Sequence, residues 1–283
     1  MTDAAHQRRS TLLVFLSSVF FATGGLFFKV IPWEAMAISG ARSIISLVVL
    51  VVFLAIKRHK YKFNLTVLMA ALSVAATNTL YAFANKLTTA GNTIVLQFSM
   101  PVFVILIMLI FWHKKPTRLE VFTCMAVLAG IICFFVDSLT AGNMLGNALA
   151  LLSGVTYALY FIYSSREDSE PFTAVVIGSL ITSLIGLPSL LATDVAGSGA
   201  SVIAAVIALG VVQQGLGKIC FSAGVTGTPA IAAGLLSGFE PVLNPILVAV
   251  FYHEMLTPLS IVGAVIVLGS IIFYNYRSAR AGA

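Results

Sequence analysis

PVFVILIMLIFWHKKPTRLEVFTCMAVLAGII, residues 101–132, is answered by PVLNPILVAVFYHEMLTPLSIVGAVIVLGSII, residues 241–272, after a shift of 140 positions. Pro101/Pro241, Phe111/Phe251, His113/His253, Thr117/Thr257 and Leu119/Leu259 recur without a gap. Chance overlap of two greasy sequences repeats mainly Leu, Val and Ile, so this register marks an internal duplication. A shift of 136 lays FLSSVFFA from Phe15 on LLSGVTYA from Leu151 and carries the duplication back to the start of the chain. Each copy holds two apolar runs around a short basic or polar turn, and each run is long enough to cross a hydrocarbon layer of roughly 30 Å at about 1.5 Å per helical residue.

Working outward, apolar runs cover 11–31, 33–56, 67–87, 93–112, 119–135, 144–163, 172–191, 202–223, 230–252 and 259–276. The reading is an all-α integral membrane protein of ten helices, arranged as a first five-helix repeat over 1–142 and a second over 143–283. Hydrophobic residues make up 59% of the chain and charged residues 9%, too few to solvate a water-exposed globule of 283 residues. The junction Leu87–Thr93 is short, but Thr88, Thr89 and Gly91 argue for two helices there. The run after Arg8 and Arg9 exceeds a signal-peptide core and is read as a retained first helix.

An odd number of spans per repeat makes the second copy enter the membrane from the opposite side, so the repeats are inverted. Such repeats are the architecture of alternating-access transporters, with substrate held near the midplane between halves. Ten spans place both termini on one side. Arg8, Arg9, Lys57, Arg58, Lys60, Lys62, Lys114, Lys115, Arg118, Arg166, Arg277 and Arg280 fall on that side, leaving Lys29, Arg42, Lys86 and Lys218 at outer ends or within spans. The positive-inside bias therefore puts both termini in the cytoplasm. It also accounts for the net charge of +6 without nucleic-acid binding. Trp33 and Tyr252 then read as outer belt aromatics, Trp112 and Tyr276 as inner ones.

The chain resembles the drug/metabolite transporter superfamily, and within it the ten-helix EamA-type bacterial permeases. The resemblance rests on GARSIISLVVL with Arg42, on TTAGNTIVLQFSMPVF from Thr88, and on FEPVLNPILVAVFYHEMLTPLSIVGAVIVLGSII from Phe239, with a proline in the ninth span and Glu254 at its outer end. The first repeat departs from the pattern, since Lys114 stands where many members carry an acidic residue. The resemblance implies a multi-pass protein of the bacterial cytoplasmic (inner) membrane that moves amino acids, other small metabolites, nucleotide-linked compounds or drugs, most often outward. It implies no catalytic activity.

Charges inside spans are expensive and need compensation, so Arg42, Lys218 and Glu240 are the leading site candidates. Glu240 precedes Pro241, whose missing N–H loosens the helix near its middle. A carboxylate there suits a substrate ammonium or a proton coupled to the gradient, while a self-neutralising Lys218–Glu240 pair is the structural alternative. Lys218 follows Gln213, Gln214, Gly215 and Gly217, a patch suited to a cavity wall or a tight helix contact. Asn78, Tyr81 and Asn85 share one face of the third helix, with Lys86 beside it as a gate or a snorkelling residue. Tyr157, Tyr160 and Phe161 form an aromatic stripe that serves either packing or a pocket. Pro101 and Pro241 are expected to break their helices.

Cys124, Cys133 and Cys220 show neither metal nor disulfide spacing, and no HExxH, GxSxG or P-loop is present, so no cofactor, metal or reaction is expected. Gly234/Gly238 and Ala126/Gly130 mark close helix packing, within a monomer or in a homodimer. The expected partners are a small-molecule substrate and lipid. Transport of a zwitterion such as an amino acid leads; larger anionic or heterocyclic cargo and a non-transporting receptor are the alternatives.

Overall fold

The computed structural model describes residues 3–28, 30–139, 143–253 and 257–281, with the side chains of 3–5, 90, 91, 138 and 278–281 left aside. Ten helices are long and apolar enough to cross a membrane: α1 (His6–Phe28), α2 (Ala35–Ile56), α3 (Leu65–Leu87), α4 (Asn92–Trp112), α5 (Arg118–Phe135), α6 (Met144–Ser164), α7 (Pro171–Leu191), α8 (Ala200–Gly227), α9 (Ala230–Tyr252) and α10 (Pro258–Arg277). No strand occurs among the described residues. The chain is a multi-pass membrane protein. Lys29, read as a cation at an outer helix end, and Glu254, the acidic residue of the family pattern, lie outside the described residues.

Helix starts follow local chemistry. Asn64, Thr117 and Asn143 cap α3, α5 and α6 through side-chain acceptors, and Thr117 with Glu120 completes a capping box. Thr88 and Thr89 separate α3 from the next helix, as the sequence suggested.

The duplication is visible in the backbone. The fourth span runs as Ala90–Gln97 and Met100–Trp112, the ninth as Ala230–Ser237 and Glu240–Tyr252, so every boundary is displaced by 140. Both second halves begin with Pro at an early position, and both end on a histidine in left-handed conformation, His113 at φ 53° and His253 at φ 55°. A proline supplies no N–H and its ring crowds the carbonyl four residues back, here Gln97 and Ser237. The breaks are therefore written into each repeat by one residue.

Packing obeys the same exchange. α3 lies on α6 and α7, and α8 correspondingly on α1 and α2; α2 crosses α7, and α5 crosses α10. Small residues allow these crossings. A Cβ on Gly40 would stand 2.9 Å from the Gly186 carbonyl carbon, and one on Gly130 3.0 Å from the Gly263 oxygen. Gly238 packs on Val127 and Gly234 lies beside Met100, so the small-residue pairs are consumed inside the bundle.

Large apolar side chains such as Val48, Phe122, Met144, Val265 and Ile272 point outward, while Ser39, Ser43 and Ser46 are buried. That inversion of the globular pattern suits a lipid surround. Two irregularities were not expected from hydropathy. α1 is interrupted at Thr23, between Asp3–Ala22 and the five-residue helix Gly24–Phe28. α8 contains a π-helical stretch, Leu209–Leu216, which carries Gln213 and Gln214. Such bulges often mark functional segments.

Candidate functional site

A cavity of about 530 Å³ occupies the bundle centre. It extends from Trp33 and Ala35, at the face opposite the termini, to Tyr160 and Lys218 near the other end. Tyr160 sits about 24 Å along α6 from Met144, so the cavity spans most of the bundle from one side only.

Each polar wall residue arrives for a local reason. The π-helical stretch of α8 packs through Gly210 and Gly215 against Ile45, Val49 and the Arg42 carbonyl of α2, which brings Gln213 alongside Arg42. Arg42 is 6% exposed; its Nη1 donates to Gln213 Oε1 at 3.3 Å and its guanidinium lies 5.2 Å from the Phe28 ring centroid. Its Nε has no partner among the described residues, and neither does Gln214 Oε1. Glu240 starts the second half of α9, where the break aims it into the cavity.

The expected alternative in which Lys218 neutralises Glu240 is not formed. Lys218, 3% exposed, donates from Nζ to Ser179 Oγ of α7 at 2.9 Å, and no Lys218–Glu240 approach within 4 Å occurs among the described residues. The physical reason is direction: the π-helical stretch leaves Lys218 facing α7 at the cavity floor, while Glu240 faces the lumen. Arg42 and Glu240 likewise line one cavity without an ion pair within 4 Å. Glu240 has no hydrogen-bond partner among the described residues.

Asn78, Tyr81 and Asn85 of α3 also line the cavity, as their shared face implied, and Pro241 lies beside Glu240. Asn85 Nδ2 donates to the Tyr81 carbonyl at 3.0 Å. Tyr157 and Tyr160 close the floor. Their rings are parallel at 6.4 Å, Tyr160 stacks on Phe221 at 4.9 Å, and Phe161 stands edge-on to Tyr157 and Phe221 at 5.0 Å. Tyr160, Phe161 and Phe221 are at most 3% exposed, so this cluster seals the side of the termini. Phe15 against Phe239 at 4.9 Å adds to the seal.

Two expected site residues fall elsewhere. Pro101 is buried in the core and serves the α4 break, away from the cavity wall. Lys86 neither snorkels freely nor faces the lumen: its Nζ donates to Glu34 Oε2 at 2.8 Å, and Ser189 Oγ donates to the same oxygen at 3.3 Å. The Lys86 hydrogen bond and charge hold the Glu34 carboxyl below its usual range. Trp33, read as a belt residue, lines the cavity mouth and donates from Nε1 to Ser198 Oγ at 3.0 Å. Gln97, Asn244 and Phe28 line the cavity without having been singled out. Gln97 and Asn244 flank the helix-breaking prolines, and that proximity was the available signal.

On the face that carries the termini, Asp168 ties the α2–α3 and α6–α7 turns together. It accepts from Thr66 Oγ1 at 2.5 Å and Arg166 Nε at 3.0 Å, and these bonds, Thr66 first, keep its carboxyl below the usual range. Its carbonyl accepts from Asn64 and Lys62. No group of three His, Cys, Asp or Glu residues suited to a metal occurs among the described residues.

Comparison with known proteins places this architecture. The chain is 28% identical over 216 residues to the threonine/homoserine exporter RhtA of Escherichia coli strain K12, covering 74% of this chain and 69% of the exporter. It is 26% identical over 278 residues to the uncharacterized transporter YwfM of Bacillus subtilis strain 168, covering 93% and 92%. A solved crystal structure superposes with a TM-score of 0.84 over 95% of this chain and 98% of the other, at 16% identity, which shows a shared fold. The EamA-like transporter family model matches residues 8–136 and again 144–276, one match per repeat. The chain belongs to the EamA-like transporter family, in the drug/metabolite transporter superfamily.

Proposed function

We propose that the protein moves a small zwitterionic metabolite, an amino acid or close relative, outward across the bacterial cytoplasmic membrane by alternating access. One observation carries this reading: Arg42 and Glu240 line one cavity with no ion pair between them within 4 Å. A buried charge left unpaired by protein invites a ligand that pairs it. Arg42 suits a carboxylate and Glu240 an ammonium; the aromatic floor receives the side chain. Glu240 is also the group through which a proton would be exchanged when the cavity empties. The basic turns on the side of the termini support a cytoplasmic placement of that face, so the cavity faces outward. Similarity to the threonine/homoserine exporter RhtA supports the substrate class.

The test is a thermal-shift screen of the purified protein with amino acids, nucleosides and vitamins, followed by exchange assays in liposomes. A ligand that binds the folded state raises its apparent stability by mass action. Stabilisation by L-amino acids that Arg42→Ala and Glu240→Gln both remove is the expected result. If both variants bind and exchange like the parent, the site assignment is wrong. The cavity volume favours one second reading, because about 300–1,000 Å³ is the size of sites that bury larger organic molecules. Stabilisation by nucleosides or vitamins alone would establish that reading instead.

A further inference from the structure

We propose that Gln213 is a positioning residue that reports occupancy of the Arg42 site to the outer end of α1; this rests on the zwitterion reading above. Its single amide bridges three helices. Gln213 Oε1 accepts from Arg42 Nη1 of α2 at 3.3 Å, and Gln213 Nε2 donates to the Phe21 carbonyl of α1 at 3.4 Å. The Phe21 carbonyl is available because α1 breaks at Thr23, whose own N–H and hydroxyl turn back to Phe20 at 3.1 and 2.7 Å. Gly24 supplies the space, since a Cβ there would stand 2.9 Å from Gln213 Nε2.

Both bonds lie near the outer limit of hydrogen-bond length, so each exchanges readily for a better partner. A carboxylate offers Arg42 a charged acceptor, roughly twice as strong as a neutral amide oxygen. A ligand carboxylate that forks end-on across Nη1 and Nη2 therefore takes Arg42 from Gln213. The freed amide loses one of its two anchors and releases the Phe21 carbonyl, and with it the segment Gly24–Phe28 beyond the break. That segment stands at the cavity mouth, where Gly24, Gly25 and Phe28 all line the lumen. At its far side the segment is also held by Tyr252 Oη, which donates to the Leu26 carbonyl at 2.7 Å. Release then favours inward movement of the segment over the bound ligand, which converts binding into closure.

The inference separates affinity from exchange rate. L-Threonine and L-phenylalanine, with threoninol and phenylalaninol as counterparts lacking the carboxylate, are the probes, measured by thermal shift and by exchange in liposomes. In the parent protein the amino acids bind and exchange, whereas the amino alcohols bind without exchanging. Gln213→Leu frees Arg42 and the α1 segment together, so closure no longer waits for the carboxylate. Affinity for the amino acid is kept or improved, and the amino alcohols, which do not exchange in the parent, now exchange at a rate about tenfold above the parent's background, within the usual range of coupling between sites. Gln213→Glu pairs Arg42 internally, weakening the amino acids by about tenfold or more and leaving the amino alcohols unaffected. Ligand-free melting temperatures confirm folding, and if the leucine variant does not fold, Gly24→Ala displaces the same amide from its notch and replaces it. Amino alcohols that still bind without exchanging in Gln213→Leu, or loss of amino-acid affinity and rate together, overturn the inference. Absence of any stabilisation of the parent protein by either amino acid overturns the zwitterion reading itself, which is a different result.

Discussion

Gly24 and Gly25 in α1 occupy the positions that Tyr160 and Phe161 occupy in α6 when the repeats are superposed by 136. One pair lines an open vestibule at the mouth; the other is buried in the aromatic seal at the floor. The backbone of the two halves agrees to the residue at the α4 and α9 breaks, whereas the α1 break at Thr23 and the π-helical stretch of α8 have no counterpart in the continuous α6 and α3. The direction in which the cavity opens therefore comes from these irregularities together with side-chain volume. Charge is one-sided as well. Glu240 answers Met100, Lys218 answers Asn78, and Arg42 answers Gly178. Duplication supplied a symmetric frame, and a few substitutions made its two ends unequal.

The sharpest way to break that comparison is to empty the seal. Phe161→Ala removes a ring that is 2% exposed and packed on three aromatic neighbours. It should cost about 3–5 kcal/mol by unfolding in detergent. It should also admit a water-soluble thiol reagent from the side of the termini to a cysteine placed at Gly25. A cost below about 1 kcal/mol would mean that the seal is not a packed unit.

Next in size is the charge asymmetry. Glu240→Gln should weaken amino-acid binding by about 2–4 kcal/mol, as for one partner of a buried charge pair, read from the ligand dependence of the melting temperature. Met100→Leu, at the repeat-related position, should leave that binding unchanged, at a stability cost under about 1.5 kcal/mol. Equal losses in both variants would erase the distinction between the halves.

Gly25→Ala tests the open side. Its Cβ would stand 1.9 Å from Asn244 Oδ1, so either Asn244 turns away or α1 shifts. The expected penalty is about 1–3 kcal/mol in stability, with slower exchange.

The smallest effect belongs to the mouth. Because Lys86 lowers the folded-state pKa of Glu34, the pairing contribution is fully present above the ordinary glutamate value of about 4.3 and fades as pH falls through the lower folded value. A melting series between neutral and acid pH should show a slight loss confined to that acid range, absent in Glu34→Gln. Glu34 is exposed, so salt should reduce the difference.

The span boundaries were legible because hydropathy reports helix length directly, and the repeat was legible because Pro, His and Thr recur in register. Arg42, Glu240 and the α3 face were legible as a wall because a polar group in a span has few other places to go. The geometry between them was not. The π-helical stretch depends on how Gly210 and Gly215 seat against α2, and the break at Thr23 on the fit of Gly24 around Gln213; both are tertiary contacts that no periodicity encodes. Lys218 illustrates the difference: its burial was foreseeable, whereas its choice of Ser179 over Glu240 required the packing.

The matched breaks at Gln97–Met100 and Ser237–Glu240 have a thermodynamic consequence. Two conformers that differ by exchanging the roles of the halves would share the kinks of α4 and α9, so their free-energy gap resides in what the halves do not share: the α1 break, the π-helical stretch of α8 and a handful of unlike side chains. At about 1.4 kcal/mol per factor of ten in population, a change of about 5.5 kcal/mol in that gap would move such an ensemble from 1:99 to 99:1. In an alternating-access cycle the resting orientation would therefore be adjustable one residue at a time.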